Sequence, residues 1–177
     1  MKAIRLALAA CVLALPAVAA FAGAADAPAD PWWLGQHRML QTNLREIDAT
    51  MDLDRYVREV KDFGADVVLF NVGGIVANYP THVECHYRNP HMTGDLVGTV
   101  LDRLHAEGIR MVGRFDFSKI NERFAAQHPE WLYVSEKGKH VNYNGQVHTC
   151  VSGGYQQEVM FKILGEASEY RISVEAP

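Results

Sequence analysis

Little in this chain of 177 residues points toward nucleic acid or a bound coenzyme. Lysine and arginine are outnumbered by acidic residues, 17 against 21. No basic field exists to neutralise phosphates, so nucleic acid is not an expected partner. The glycine pairs Gly73-Gly74 and Gly153-Gly154 lack the Gly-x-Gly-x-x-Gly spacing of a dinucleotide turn, and no phosphate-binding loop is present. No cofactor is expected. Long apolar runs are equally scarce. The one that stands out, Leu6 to Val18, is too short and too rich in alanine for a membrane span. Cysteine is rare, with three in all, and no segment repeats.

What is present begins with a processing signal. Lys2 and Arg5 precede the apolar run, and small residues at Ala20, Ala22 and Ala24 offer Ala-x-Ala-like cleavage sites. Residues 1–24 read as a secretory leader, which implies export and no membrane attachment after cleavage; the alternative is an uncleaved N-terminal anchor. Residues 25–32, rich in Ala, Asp and Pro, read as a linker, and 33–177 as one domain. Cys11 leaves with the leader. In an exported protein Cys85 and Cys150 either pair, closing a loop worth about 4 kcal/mol in chain entropy, or stay as thiols.

Within the domain, strand and helix patterns alternate. Arg38 to Leu44 suits a first strand. Leu53, Tyr56, Val57, Val60 and Phe63 form one helical stripe, opened by Asp52 as N-cap and closed by Gly64. Asp66 to Val72 is a continuous apolar run, as in a strand buried on both faces. A second helix runs from Gly94-Asp95 to Gly108, and a third strand from Ile109 to Phe115. Ser118 is the expected cap of a short helix carrying Ile120, Phe124 and Ala125. Two short strands, Trp131 to Val134 and His140 to Tyr143, are expected around a turn at Lys137-Gly138, then loop from Gly145 to Gly154 and helix from Tyr155 to Tyr170. Arg171 to Val174 starts like another strand. The pattern predicts α/β architecture with parallel strands.

In such folds chemistry gathers where strands end. Arg114 and Asp116 alternate along the third strand and so point to one side of it. A guanidinium and a carboxylate there either orient sugar hydroxyls or tie the strand to its neighbour. Asn71 ends the second strand, where it serves a polyol or the turn backbone. Asn43, Arg45, Glu46 and Asp48 cluster at the first strand's exit. Residues Ile75 to Thr93 form a long aperiodic loop with Asn78, Tyr79, His82, Glu84, Cys85, His86, Tyr87, Arg88 and His91, which suits a binding rim. Its histidines suit zinc by type, but prolines deny them a helical frame, so exposed loop histidines are expected rather than a metal site. Trp131, in His128-Pro-Glu-Trp131, serves either a sugar face or the core.

An ordered set of segments carries a resemblance. It comprises Met39-Leu-Gln-Thr-Asn-Leu-Arg-Glu-Ile-Asp48, Phe63-Gly-Ala-Asp-Val-Val-Leu-Phe-Asn-Val-Gly-Gly74, Tyr79-Pro80, Leu104-His-Ala-Glu-Gly-Ile109, Arg114-Phe-Asp-Phe-Ser118 and His128-Pro-Glu-Trp131. Together these resemble the glycoside hydrolase barrels described as hypothetical glycosyl hydrolase 6, similar in layout to α-fucosidase-like (β/α)8 enzymes. The resemblance implies part of a TIM barrel, about three βα units with a small β-hairpin insertion, and a carbohydrate substrate. It implies Asp116 and Arg114 as catalytic-site residues, Asp116 as an electrostatic helper rather than the nucleophile. Asn43, Asn71, Tyr79 and Trp131 would contact substrate. A full barrel takes about 250 residues, so the expectation is a truncated product lacking the complete carboxylate pair that glycoside hydrolysis uses. The rival expectations are a non-catalytic glycan-binding module and an unstable remnant with an open sheet edge.

Overall fold

The computed structural model describes residues 31–170. The leader, most of the linker and the strand-like start at Arg171 lie outside the described residues. The chain divides into two units, residues 1–35 and 36–177. The described part of the first holds a 3-10 turn, Trp32–Leu34, whose two indoles meet edge to face at 6.0 Å. The second unit carries the fold.

Three parallel strands form its sheet: β1 (Met39–Thr42), β2 (Val67–Gly74) and β3 (Arg110–Asp116), in spatial order β1-β2-β3. Helix α1 (Leu53–Phe63) links β1 to β2, and α2 (Leu96–Ala106) links β2 to β3. Parallel neighbours need such crossovers. The local reasons are those visible in the sequence. Asp52 caps α1 by accepting the Arg55 amide at 3.0 Å, and Gly64 ends it with φ of 77°. Val67, Val68, Phe70 and Val72 of β2 are fully buried, as expected of the middle strand. Val97, Val100 and Leu104 of α2 complete the main core with Val60 and Met111.

Asp95 has two tasks. Its carboxylate caps α2 through the Gly98 amide at 2.9 Å and accepts the Tyr170 hydroxyl at 2.9 Å, fastening the last described residue to the start of α2. Asp95→Ala is expected to lower stability by about 1–2 kcal/mol, whereas Asp95→Asn keeps the cap. Thermal unfolding of the two variants checks this, and equal midpoints would contradict it.

After β3 the structure departs from the expected layout. Ser118 does not cap a helix: its amide and hydroxyl both donate to Asp116 Oδ1, at 2.9 and 2.6 Å. The chain instead adds a strand, β4 (Lys119–Asn121), and Asn121 caps the single turn α3 (Glu122–Ala125) by accepting the Arg123 amide at 3.0 Å. The chain does turn at Lys137-Gly138, with Gly138 at φ 69°, its amide donating to the Ser135 carbonyl at 2.9 Å and Val134 bridging His140 antiparallel, but the hairpin built from paired strands lies further on. It is β5 (Asn142–Tyr143) and β6 (Gln146–His148) around Asn144-Gly145, and the second antiparallel sheet has the order β4-β6-β5. Asn144 and Gly145 have φ of 51° and 82°, the double positive φ that a two-residue type I′ turn demands. Trp131 to Val134 and His140 contribute only single bridges to this region. The last helix begins as a π-turn at Tyr155–Val159 and continues as α4 (Met160–Ala167). Ile120, Val147, Tyr155 and Ile163 make a second core, and Phe115 packs against both cores.

Candidate functional site

The ends of β2 and β3 meet over a cleft of about 560 Å³, within the range of small-ligand sites. Strand register builds its floor. Asn71 stands beside Arg114 across the β2–β3 ladder, and Gly74 beside Asp116. Between them Val72 is bulged out of register, a feature that re-aims side chains at strand ends. Arg114 donates Nη1 to Asn71 Oδ1 at 2.9 Å and Nη2 to Asp116 Oδ2 at 3.4 Å. Both members of that ion pair are about one-third exposed, so they remain available to a ligand.

Asp116 is held as an anion. Burial pushes its carboxyl up, but hydrogen bonds from the Ser118 hydroxyl and amide, with the charges of Arg114 and Lys119, outweigh burial and hold it below the usual carboxylate value. Such a group accepts hydrogen bonds and balances positive charge; it has no proton to give near neutrality.

The long loop walls the cleft. Ile75, Val76, Asn78, Asn89 and His91 line it from that side, Leu44 to Ile47 from the end of β1, and Gln146 from the hairpin. Asn78 donates to the Asn71 carbonyl at 3.1 Å, and Asn89 to Asn78 Oδ1 at 2.8 Å and the Glu46 carbonyl at 3.0 Å. This amide relay stitches the exits of β1 and β2 to the loop. His86 lies behind it, 3% exposed, accepting the Gly74 amide on Nε2 at 3.1 Å. The loop histidines therefore diverge: His86 is buried, His91 faces the cleft and His82 is exposed. No three His, Cys, Asp or Glu side chains of the described residues converge to hold a metal ion.

The other expected substrate contacts are placed differently. Asn43 is exposed, accepts Gln41 Nε2 at 2.7 Å, and does not line the cleft. Tyr79 is fully buried in the core with its ring edge-on to His86 and Tyr170, so it faces no substrate. Trp131 stacks on His128 at 3.6 Å and packs near Tyr155 in the second core, away from the cleft lining. Arg45 and Asp48 pair with each other at 2.7 Å and cap the 3-10 turn Glu46–Thr50. Cys85 and Cys150 are free thiols. Asn89 and Gln146 escaped the sequence reading. Asn144-Gly145 was the available signal for Gln146, since that dipeptide fixes the register placing it opposite Tyr143.

Comparison with known proteins adds context. The model of the family described as hypothetical glycosyl hydrolase 6 matches residues 52–172. No curated protein matches the chain in sequence. Among solved structures, α-L-fucosidase isoenzyme 2 from Paenibacillus thiaminolyticus aligns over 77% of this chain and 22% of its own, with TM-score 0.63 and 15% identity. An α-amylase from Lactobacillus plantarum aligns over 76% and 36%, with TM-score 0.52 and 15% identity. A hypothetical protein from Ruminiclostridium thermocellum aligns over 76% and 71%, with TM-score 0.53 and 15% identity. At these identities the likeness shows the fold, and the chain spans about a fifth of that fucosidase.

Proposed function

The chain belongs to the hypothetical glycosyl hydrolase 6 family, and on that premise we propose that it is a glycoside hydrolase-like protein whose cleft holds a sugar over Arg114, Asp116 and Asn71. One observation carries the reading: a guanidinium, an ionised carboxylate and an amide converge at the exits of adjacent parallel strands, part-exposed and mutually hydrogen-bonded. Such a set offers vicinal hydroxyls both donors and acceptors, and the planar guanidinium fixes their direction. Asp116 serves as hydrogen-bond acceptor and electrostatic support. Hydrolysis needs a proton donor as well as a second carboxylate, and Asp116 is tuned against donating. Export through the leader would bring the cleft to extracellular glycans.

Calorimetry with methyl α-L-fucoside, methyl α-D-galactoside and methyl α-D-glucoside is expected to find one that binds. Arg114→Ala should weaken that binding about thirtyfold, the loss of charged hydrogen bonds worth about 2 kcal/mol. The corresponding p-nitrophenyl glycosides should stay uncleaved by this chain alone. Release of nitrophenol would overturn the non-catalytic role of Asp116, and a folded protein that binds none of the three would remove the sugar reading.

A further inference from the structure

The small antiparallel sheet has two faces with different fates. Ile120 of β4 and Val147 of β6, cross-strand partners, are buried in the second core. Residues directly opposite one another share a face, and successive residues alternate. Asn121, Gln146 and Tyr143 therefore form one row across β4, β6 and β5 on the opposite face, through the pairs Asn121–Gln146 and Tyr143–Gln146. Gln146 lines the cleft, so this row leads from the cleft to the hairpin edge. Tyr143 ends it with 65% of its surface exposed. The type I′ turn follows it directly, and Asn142 Oδ1 accepts the Gly145 amide at 2.9 Å, which fixes the hairpin that presents the ring.

An exposed aromatic ring one cross-strand step, about 5 Å, beyond a cleft-lining amide has a chemical meaning. Its electron-rich face attracts the weakly positive C–H groups on the apolar side of a pyranose. The adjacent amide of Gln146 donates to and accepts from ring hydroxyls. We infer that Tyr143 and Gln146 form a second sugar-binding subsite, holding the next residue of an oligosaccharide whose first residue lies over Arg114 and Asp116. The inference rests on the sugar reading of the cleft and extends it: the ligand is an oligosaccharide of two or more units, and the hairpin selects for its length.

The test compares monosaccharide and disaccharide binding by calorimetry, pairing methyl α-L-fucoside with 2-O-α-L-fucosyl-D-galactose, methyl α-D-galactoside with melibiose, and methyl α-D-glucoside with maltose. For the pair that binds, the disaccharide should bind about tenfold more tightly. Tyr143→Ala should erase that gain while leaving monosaccharide affinity unchanged, Tyr143→Phe should keep it, and Gln146→Ala should reduce it. Arg114→Ala should weaken both members. If Tyr143→Ala keeps the gain while Arg114→Ala weakens both, the subsite is overturned and the cleft reading stands. If the wild-type chain binds neither member of any pair, the cleft reading fails and takes the subsite with it. Tyr143 is exposed, so its variants should unfold at the wild-type midpoint, which separates a binding defect from a folding one.

Discussion

Replacing Gly74 by alanine is expected to cost about 4 kcal/mol, a large share of the roughly 5–15 kcal/mol that holds a domain folded. Gly74 has φ of 98°, and an added Cβ would sit 2.2 Å from the Asp116 carbonyl oxygen and 2.6 Å from its nitrogen. Positive φ alone costs an L-residue about 1–2 kcal/mol. The contact adds more because it meets backbone, which has no rotamer to escape into. Relief requires β2 and β3 to separate at their ends. That movement would also break the Gly74 amide bond to His86 and the 2.8 Å hydrogen bond from the Tyr155 hydroxyl to the Gly74 carbonyl, each worth about 1 kcal/mol. Gly108 supplies the control: its φ is 70°, but nothing lies within 4 Å of its would-be Cβ. Gly108→Ala should therefore lose only the conformational part. Urea unfolding of the two variants decides the matter, and equal losses would show that the approach of β2 to β3 is not what makes glycine necessary at 74.

The same strand ends show which parts of the molecule were legible in the sequence. The β1–α1–β2–α2–β3 order was readable because both helices and the two longer strands display their periods and are bounded by Asp, Gly or both, and β1, only four residues long, is placed by the helix that follows it. The shared face of Arg114 and Asp116 was readable because alternation is local. The partnership of Arg114 with Asn71 was not, because it depends on the register of β3 against β2, which no local pattern encodes. The turn at Lys137-Gly138 is real, but the β5–β6 hairpin after it was not legible, because strands of two and three residues carry almost no periodicity. Tyr79 looked like a rim residue because its neighbours in the loop are polar. It is buried because residues remote in the chain, Tyr170 above all, close over it. Aromatic residues in polar loops are thus ambiguous until the long-range packing is known. Tyr143 reverses the case: it lies in a short strand and remains open to solvent.

Acid should destabilise this fold earlier than carboxylate titration alone would, and His86 is the reason. Burial pushes its imidazole down to about 4, and the nearby Glu166 carboxylate only partly opposes this. Geometry agrees. Nε2 accepts the Gly74 amide, so the proton resides on Nδ1, which faces the Thr81 hydroxyl at 3.3 Å and the Tyr79 hydroxyl at 3.5 Å. Thr81 in turn donates to Glu166 at 2.6 Å. A second proton on the ring would set N–H against N–H at Gly74. The unfolded chain meets no such obstacle and takes up that proton near pH 6.5. From 6.5 down to about 4 the unfolded state therefore binds more protons than the folded one, and stability falls with pH, by about 3 kcal/mol in all. Above 6.5 the contribution is constant. Glu166, held low despite its burial by the Thr81 hydroxyl and the His82 amide, loses its own contribution only at still lower pH, so the upper part of the window belongs to His86. His86→Gln cannot titrate. Its stability should be lower than wild type at pH 7, and the gap should close as pH falls toward 4.5. Denaturant unfolding at half-unit pH steps measures that gap, and a constant gap would place the acid sensitivity elsewhere. Because the folded protein keeps His86 neutral down to about 4, its anchor on the Gly74 amide beside Asp116 stays intact across that window, so the folded chain should hold its sugar affinity until the pH nears 4, where the imidazole takes its second proton and the mouth of the cleft loses that support.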